Sequence, residues 1–382
     1  MLVGGGSGGH ITPLLAVAKK LKQKDASLQL TIVSERGGKF SHLIDQDKKL
    51  FSNVEKIFAG KLRRYHGESW TSRLFDFKTN LLNIRDLFLL FLGFFESFGM
   101  LALHRPDVIF IKGGFVGVPI GLAAGILRIP YITHDSDALA GLTNRLIGSH
   151  ATLHAVGMPP EFYNYPKSKM IFVGVPVGAD FAPITDTQKL AAMQQLGLGK
   201  DDQVLLITGG SNGAQRLDDA FRLIVSELID SHPKLSIIHQ VGQGNEDIYQ
   251  DFPSEIKQKI RVETFLKPLS RYSAAADVIV ARGGATAIAE FAAQKKACVI
   301  IPNPYLTGGH QLHNARVLEN NKAAIIVDEG SDSSELLHAI NRLIDSKRDQ
   351  EEFGANLHKL IPSDATERLS EVLLEQLKKV KH

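Results

Sequence analysis

The stretch GGGSGGHITPLLAVAKKLKQ, residues 4–23, decides how the fold is read. Gly4, Gly6 and Gly9 satisfy G-x-G-x-x-G, and Leu14, Leu15, Val17, Ala18 and Leu21 then recur at helical spacing. That pattern predicts a glycine turn leaving a strand and opening a helix, with Pro13 in the helix's first turn. Unpaired N–H groups and the positive end of the helix dipole suit a phosphate or another anion there. A tight strand-to-helix turn with no ligand accounts for the same glycines. Three residues precede them, fewer than the five or six of a usual strand, which suggests a native start upstream of Met1.

Working outward, strand-like apolar runs alternate with helical ones along the whole chain. LQLTIVS, DVIFIKG, YITHD and MIFVGV lie in the first half; VLLITGG, LSIIHQVG, RVETF, DVIVARGG, ACVIIP and AAIIVDEG follow in the second. Apolar, β-branched runs spaced by helices predict parallel sheets covered on both faces, here an α/β protein of two doubly wound, Rossmann-like domains facing across a cleft. The linker falls near residues 175–182, within VPVGADFAP, giving domains at 1–174 and 175–362. VLLITGGSNGA and the helix after it repeat the opening strand, turn and helix. ATERLSEVLLEQLKKV predicts a last helix within 363–382, capped by Ser363 or Asp364.

At 382 residues with 44% hydrophobic and 22% charged, the composition is that of a globular protein and excludes disorder. The lone Cys298 sits in the apolar run ACVII, which favours burial over catalysis and fits a reducing compartment. No basic segment followed by an apolar core opens the chain, so no secretory signal is read. Up to Phe172 there are 21 Lys and Arg against 13 Asp and Glu, and beyond it 23 against 28. A basic first half suits an anionic membrane or a diphosphate. The chain lacks basic motifs interleaved with aromatics, which ranks nucleic acid low. After Asp86 the run LFLLFLGFF and then SFGMLAL are too short and interrupted for the roughly 20 apolar residues of a membrane span. Phe75, Phe77, Phe88, Phe91, Phe94, Phe95 and Phe98, with Lys61, Arg63, Arg64, Arg73, Lys78 and Arg85 nearby, read either as a core helix or as a surface that lies on a membrane.

Four glycine turns end strands: GGGSGGH, KGGF at 112–115, TGGSNGA at 208–214 and RGGA at 282–285. Ligands of open α/β sheets bind beyond the carboxyl ends of the strands, so several such turns favour an enzyme gripping two ligands. The N–H groups of Ser211, Asn212 and Gly213 suit a diphosphate, and Glu290, in the helix that RGGA opens, suits the two hydroxyls of a ribose. His10, at the mouth of its turn, is a candidate proton acceptor, as are His134 and Asp135. The pairs His310/His313 and His150/His154 lack further ligands at metal spacing, so no metal site is predicted.

GGSGGHITPLLAVA, KGGFVGVP, HDSDALAGLTN, TGGSNGAQ, RGGATAIAEFAA and HQLHNA resemble, in order and over nearly the whole chain, the motifs of the MurG family of peptidoglycan N-acetylglucosaminyltransferases. The resemblance implies a GT-B fold and inverting transfer of N-acetylglucosamine from UDP-N-acetylglucosamine to the muramyl sugar of undecaprenyl-linked lipid I. It also implies a last helix that returns to the first domain, and peripheral attachment to the cytoplasmic face of the membrane. Carried over, Ser211, Asn212 and Gly213 meet the donor phosphates, Glu290 the ribose, Leu266 the uracil, and His310 and Gln311 the donor sugar. Gly9, His10, Thr12, Gly113, Gly114, Asp135 and Asn144 line the acceptor side, with His10 or Asp135 as base. Mg²⁺ is compatible but not required, because DSD at 135–137 overlaps the acceptor motif. The chain departs from the family pattern at His310, at Asp135, and at Val175 and Gly178, where an asparagine and a phosphate-binding arginine are usual; Arg216 or Arg282 is the expected substitute. Three alternatives stand beside this reading: a related enzyme with another lipid acceptor or UDP-sugar, a UDP-sugar epimerase, and, from another class, an NAD-dependent dehydrogenase using Gly4, Gly6, Gly9 and Glu35. A noncatalytic UDP-sugar-binding subunit would bind UDP without turnover.

Overall fold

The computed structural model describes residues 1–61, 76–210 and 213–381, which form two compact units. The first comprises Met1–Ala179, Tyr305–His310 and Ser363–His382; the second comprises Asp180–Pro304 and Gln311–Pro362. The division falls after Ala179 rather than 174 because Val175 and Val177 are buried and Val177 exchanges hydrogen bonds with Thr366 of the first unit.

In the first unit seven parallel strands are ordered β3-β2-β1-β4-β5-β6-β7. They are β1 Leu2–Val3, β2 Thr31–Glu35, β3 Asn53–Ile57, β4 Ile109–Ile111, β5 Tyr131–Asp135, β6 Leu153–Val156 and β7 Met170–Phe172. Helix α1, Gly8–Lys24, follows β1 at once. Pro13 therefore stands in its second turn, not its first: glycines 8 and 9 are themselves helical, so the helix begins earlier than a proline-led start would allow. Leu14, Val17, Ala18 and Leu21 are the buried stripe of α1. They share a core with Leu369, Val372 and Leu373 of the last helix, Ala365–Lys381. Lys24 pairs with Glu371 at 3.2 Å and, like Lys20, with Glu367. Each fully buried leucine or valine stabilises this docking by about 1.5–3 kcal/mol, whereas exposed ion pairs contribute under about 1.

The phenylalanine-rich segment is one helix, α2, Phe77–His104. Gly93 and Gly99 do not break it, and its portion Thr79–His104 is long and apolar enough to cross a membrane. The interruptions read in the sequence are therefore spanned by continuous helix. Phe94 and Phe98 pack on the core, while Phe77, Leu81, Ile84, Phe88, Phe91 and Phe95 form an exposed stripe at alternating spacings of four and three. Glu96 fastens the opposite side, accepting from Phe58 N–H at 2.8 Å and pairing with Arg36 at 2.6 Å. Phe75, Arg63, Arg64 and Arg73, and the Lys78 side chain, lie outside the described residues.

The second unit repeats the plan with six parallel strands ordered β10-β9-β8-β11-β12-β13. They are β8 Gln203–Thr208, β9 Leu235–Gln240, β10 Ile260–Glu263, β11 Val278–Ala281, β12 Ala297–Ile300 and β13 Ile325–Ile326. Helices α3, Gln215–Ser231, and α4, Ala285–Ala293, follow β8 and β11. Phe221, Ile224, Val225 and Leu228 of α3 fill the core against Leu205 and Val280. In each unit the strand order reverses beside the central strand, between β1 and β4 and between β8 and β11. The four glycine turns follow those four strands, at the two switch points where such sheets take ligands.

Candidate functional site

At the first switch point the turns after β1 and β4 close on His10. Gly114 has φ +75°, and a Cβ there would lie 2.7 Å from the Gly5 carbonyl oxygen and 3.2 Å from His10 Nδ1, so only glycine lets the KGGF turn approach. His10 Nδ1 is 2.9 Å from Ser7 Oγ. Burial, and then the neighbouring Lys112 ammonium, lower the His10 pKa to about 4, while Asp137 and a hydrogen bond to Gly5 act the other way. The ring is neutral at pH 7; with its proton on Nδ1, Nε2 is free to accept another. Gly113 lies beside Nε2, and Thr12, exposed on α1, donates to Gly8 O at 3.1 Å.

Asp135 ends β5 in a different setting. Its Oδ1 accepts from Gly141 N–H at 2.8 Å and from Asn144 Nδ2 at 2.9 Å, and its Oδ2 accepts from Tyr165 O–H at 2.6 Å. Burial raises its pKa against these bonds. With both oxygens bonded, this carboxylate is built to hold the 135–144 loop. Asn144 also donates to His134 O at 2.9 Å, and among the described residues its own buried Oδ1 has no partner. His134 is fully buried and bonded through Nε2 to Gly174 O at 2.9 Å, which makes it structural. The residue that sequence reasoning passed over is Lys112, 2% exposed, whose Nζ donates to Ser136 Oγ at 2.5 Å. Its signal was in plain view: a lysine closes the apolar run VIFIK.

Glu35, the acidic residue of the dinucleotide reading, turns into the loop instead of outward. Its Oε1 accepts from Gly6 N–H at 3.0 Å, and its Oε2 would meet a Cβ on Gly5 at 1.8 Å. A ribose finds no open carboxylate there.

At the second switch point Thr208 Oγ1 takes the Gly210 N–H at 3.1 Å and donates to Gln240 Oε1 at 2.5 Å, shaping the TGGSNGA turn. Gly213, at φ +70°, passes against Gly242. Ser211 and Asn212 lie outside the described residues. The RGGA turn is fastened by the helix His310–Asn320: Asn314 Nδ2 donates to Gly283 O at 2.8 Å, and buried Gln311 accepts from Asn303 N–H at 2.8 Å. Glu290, partly buried in α4, has its pKa pushed up to about 8 by burial and then by Asp180. Leu266 is buried, and His310 groups with the first unit. Arg282, 8% exposed, is paired with Glu329 at 2.5 Å and donates to Ile301 O at 3.2 Å; Arg216 meets the same Glu329 at 3.1 Å. The two candidate substitute cations thus share one anion. Among the described residues no three His, Cys, Asp or Glu side chains are grouped to hold a metal ion.

Known proteins resemble this chain from end to end. The N-terminal domain of glycosyltransferase family 28 matches residues 1–156, and the C-terminal domain of the same family matches residues 204–369. A UDP-N-acetylglucosamine-N-acetylmuramyl-(pentapeptide) pyrophosphoryl-undecaprenol N-acetylglucosamine transferase of Bacillus subtilis is 30% identical over 98% of both chains. The enzyme of that name from Lachnoclostridium phytofermentans is 31% identical over 97% of this chain and 96% of its own. Among solved structures, Acinetobacter baumannii MurG superposes with a TM-score of 0.73 at 24% identity, covering 98% of this chain and 99% of that one. The Neisseria meningitidis UDP-GlcNAc 2-epimerase bound to UDP-GlcNAc gives 0.67 at 14% identity, over 98% and 99%. At those identities the superpositions establish a common GT-B fold.

Proposed function

The chain belongs to glycosyltransferase family 28, among the N-acetylmuramyl-(pentapeptide) pyrophosphoryl-undecaprenol N-acetylglucosamine transferases, and from that premise we infer which residues perform the transfer. The enzyme moves N-acetylglucosamine from UDP-N-acetylglucosamine to the muramyl hydroxyl of lipid I, with inversion, giving lipid II. The observation that carries this reading is identity of 30% or more sustained over at least 97% of the chain. An epimerase or a dehydrogenase has no comparable support.

In this reading the first unit takes the acceptor. The attacking hydroxyl gives its proton to His10 as it bonds to the anomeric carbon on the face opposite UDP. A neutral imidazole with a low pKa is a weak base, but the acceptor's diphosphate, bound along Gly9, Gly113 and Gly114, brings negative charge that raises its basicity. Asn144 offers its unpartnered Oδ1 to an acceptor donor group, and Thr12 adds a hydroxyl at the rim. Asp135 positions Asn144 and does not take the proton.

The second unit takes the donor. Ser211, Asn212 and Gly213 are assigned to the diphosphate, whose departing charge N–H groups and the dipole of α3 stabilise. Glu290 accepts from the ribose hydroxyls, Leu266 meets the uracil, and Gln311 with His310 reads the sugar. Arg282, buried at the start of the RGGA turn, acts once phosphate competes with Glu329 for it. A transfer assay with UDP-N-acetylglucosamine and a lipid I analogue tests the whole reading; hydrolysis or epimerisation of the donor without acceptor glycosylation would sink it.

Lipid I stays in the bilayer, so the enzyme attaches peripherally to the cytoplasmic face of the membrane. The stripe of α2 is the contact: Phe91 and Phe95 are each 56% exposed and stack edge to face at 4.8 Å. Apolar insertion acts with the excess positive charge of the first half, each basic residue near an anionic surface contributing about 1 kcal/mol. Binding to anionic vesicles should weaken with salt and drop on joint Phe91→Ser and Phe95→Ser substitution. A folded double variant that binds like the parent would refute the assignment.

A further inference from the structure

We infer that Lys112 is a positioning residue for the transfer reaction: its buried ammonium, at the start of the KGG turn and tethered to Ser136, keeps the His10 imidazole unprotonated when the anionic acceptor binds. The inference rests on the reading of His10 as base. Its geometric ground is a cluster. The KGG turn lies against His10, with the Gly114 position 3.2 Å from Nδ1 and the Gly113 position 3.9 Å from Nε2. Lys112, the next residue back, packs its Cβ 3.5 Å from the Gly4 position in the opposite turn. Lys112 is 2% exposed and its Nζ is held by Ser136 Oγ, so the ammonium is not free to leave for water.

An ammonium so buried normally has a carboxylate partner, because desolvation otherwise costs several kcal/mol. Among the described residues Lys112 has only the neutral Ser136 hydroxyl within bonding distance. Asp137 and Asp135 act on it from farther away, and burial still brings its pKa down to about 8. The fold retains this charge, with no carboxylate bonded to it among the described residues, at the place where, in the proposed reaction, a diphosphate arrives. A bound diphosphate alone would draw a proton onto His10 and so remove the lone pair that accepts the hydroxyl proton. A fixed cation at the start of the KGG turn offsets that pull.

The charged and titratable groups around His10 divide by sign. Lys112 from the end of β4, His310 and His134 disfavour protonation of the ring or share its field; Asp137, from the loop after β5, favours it. Asp135 and Glu35 flank the cluster, each held by its own hydrogen bonds. Removing Lys112 and removing Asp137 should therefore shift His10 in opposite directions.

The test is an NMR titration of the His10 imidazole in the full chain, with the acid limb of the pH–rate profile for transfer to a lipid I analogue as a second readout. Lys112→Met should raise the His10 titration point by about one pH unit and move the acid limb up with it. Asp137→Asn should lower both, and Lys112→Arg, which keeps the charge, should leave the titration near that of the parent. An unchanged His10 titration in folded Lys112→Met overturns the inference, as does a downward shift. Should Lys112→Met not fold, Asp137→Asn and Lys112→Arg decide, and a failure of Asp137→Asn to shift His10 overturns it. A titration that moves while the rate profile does not would retain the coupling and overturn the role of His10 as base.

Discussion

The two switch points are built on one plan and differ in how their buried cation is partnered. Each lies where the strand order reverses, and each is flanked by a pair of glycine turns. Beneath the first pair sits a cation, Lys112, with no ion-pair partner among the described residues. Beneath the second sits Arg282, already neutralised by Glu329. The first is arranged around a side chain that can accept a proton, the second around N–H groups, a dipole and a carboxyl of raised pKa. In the proposed reading, backbone geometry common to both units prepares anion binding, and the buried side chains set which anion-bearing partner each one serves.

The comparison breaks most visibly at His10. His10→Ala should lower turnover by about 10² to 10⁴ with UDP affinity unchanged, measured by steady-state transfer and calorimetry. Comparable loss of UDP binding would mean that the first switch point serves the donor.

Asp135→Asn should act on stability instead. An amide in place of one carboxylate oxygen forfeits an acceptor for Gly141, Asn144 or Tyr165, costing about 1–3 kcal/mol in urea unfolding. A variant of parental stability with turnover abolished would return Asp135 to the role of base.

For the second switch point, Glu290→Ala should weaken UDP binding by about 1–3 kcal/mol. The pH dependence sharpens this. In the free protein the carboxyl is protonated below a pKa of about 8, and ribose hydroxyls favour the ionised form. UDP affinity should therefore rise with pH up to about 8, by as much as about tenfold per unit, and then level off. The slope should vanish in Glu290→Ala.

The smallest effect is expected at Glu329. Glu329→Gln removes the anion that Arg282 and Arg216 share and should strengthen UDP binding by about 1 kcal/mol or less, with a steeper salt dependence. Weaker binding would show that Glu329 orients the arginines toward the nucleotide rather than restraining them.

Much of the fold was legible because long apolar runs mark buried parallel strands, and the glycine turns after four of them marked the switch points. Two strands escaped that logic. Asn53–Ile57 is an edge strand with a mostly wetted face and carries polar residues in place of an apolar run. Leu153–Val156 is short and contains His154, which stacks on Tyr165 at 3.8 Å. At the sites, glycine turns and candidate histidines could be read locally. The bonds that set Asp135 apart from His10 come from Gly141, Asn144 and Tyr165, and the ion pair of Arg282 comes from a different strand end. Partners of that kind depend on the sheet order, which no local window contains.

The last helix carries a consequence for how the molecule is made. Leu369, Val372 and Leu373 complete the core begun by Leu14 and Val17, so the first unit cannot close before the helix Ala365–Lys381 has left the ribosome. During synthesis the second unit has all its segments first, reversing the usual order in which N-terminal domains fold ahead of later ones. Until residues 365–381 have emerged, the face of α1 that awaits this helix stays uncovered, and a nascent chain stalled before residue 365 should be a substrate for chaperones however well its first 179 residues pair their strands.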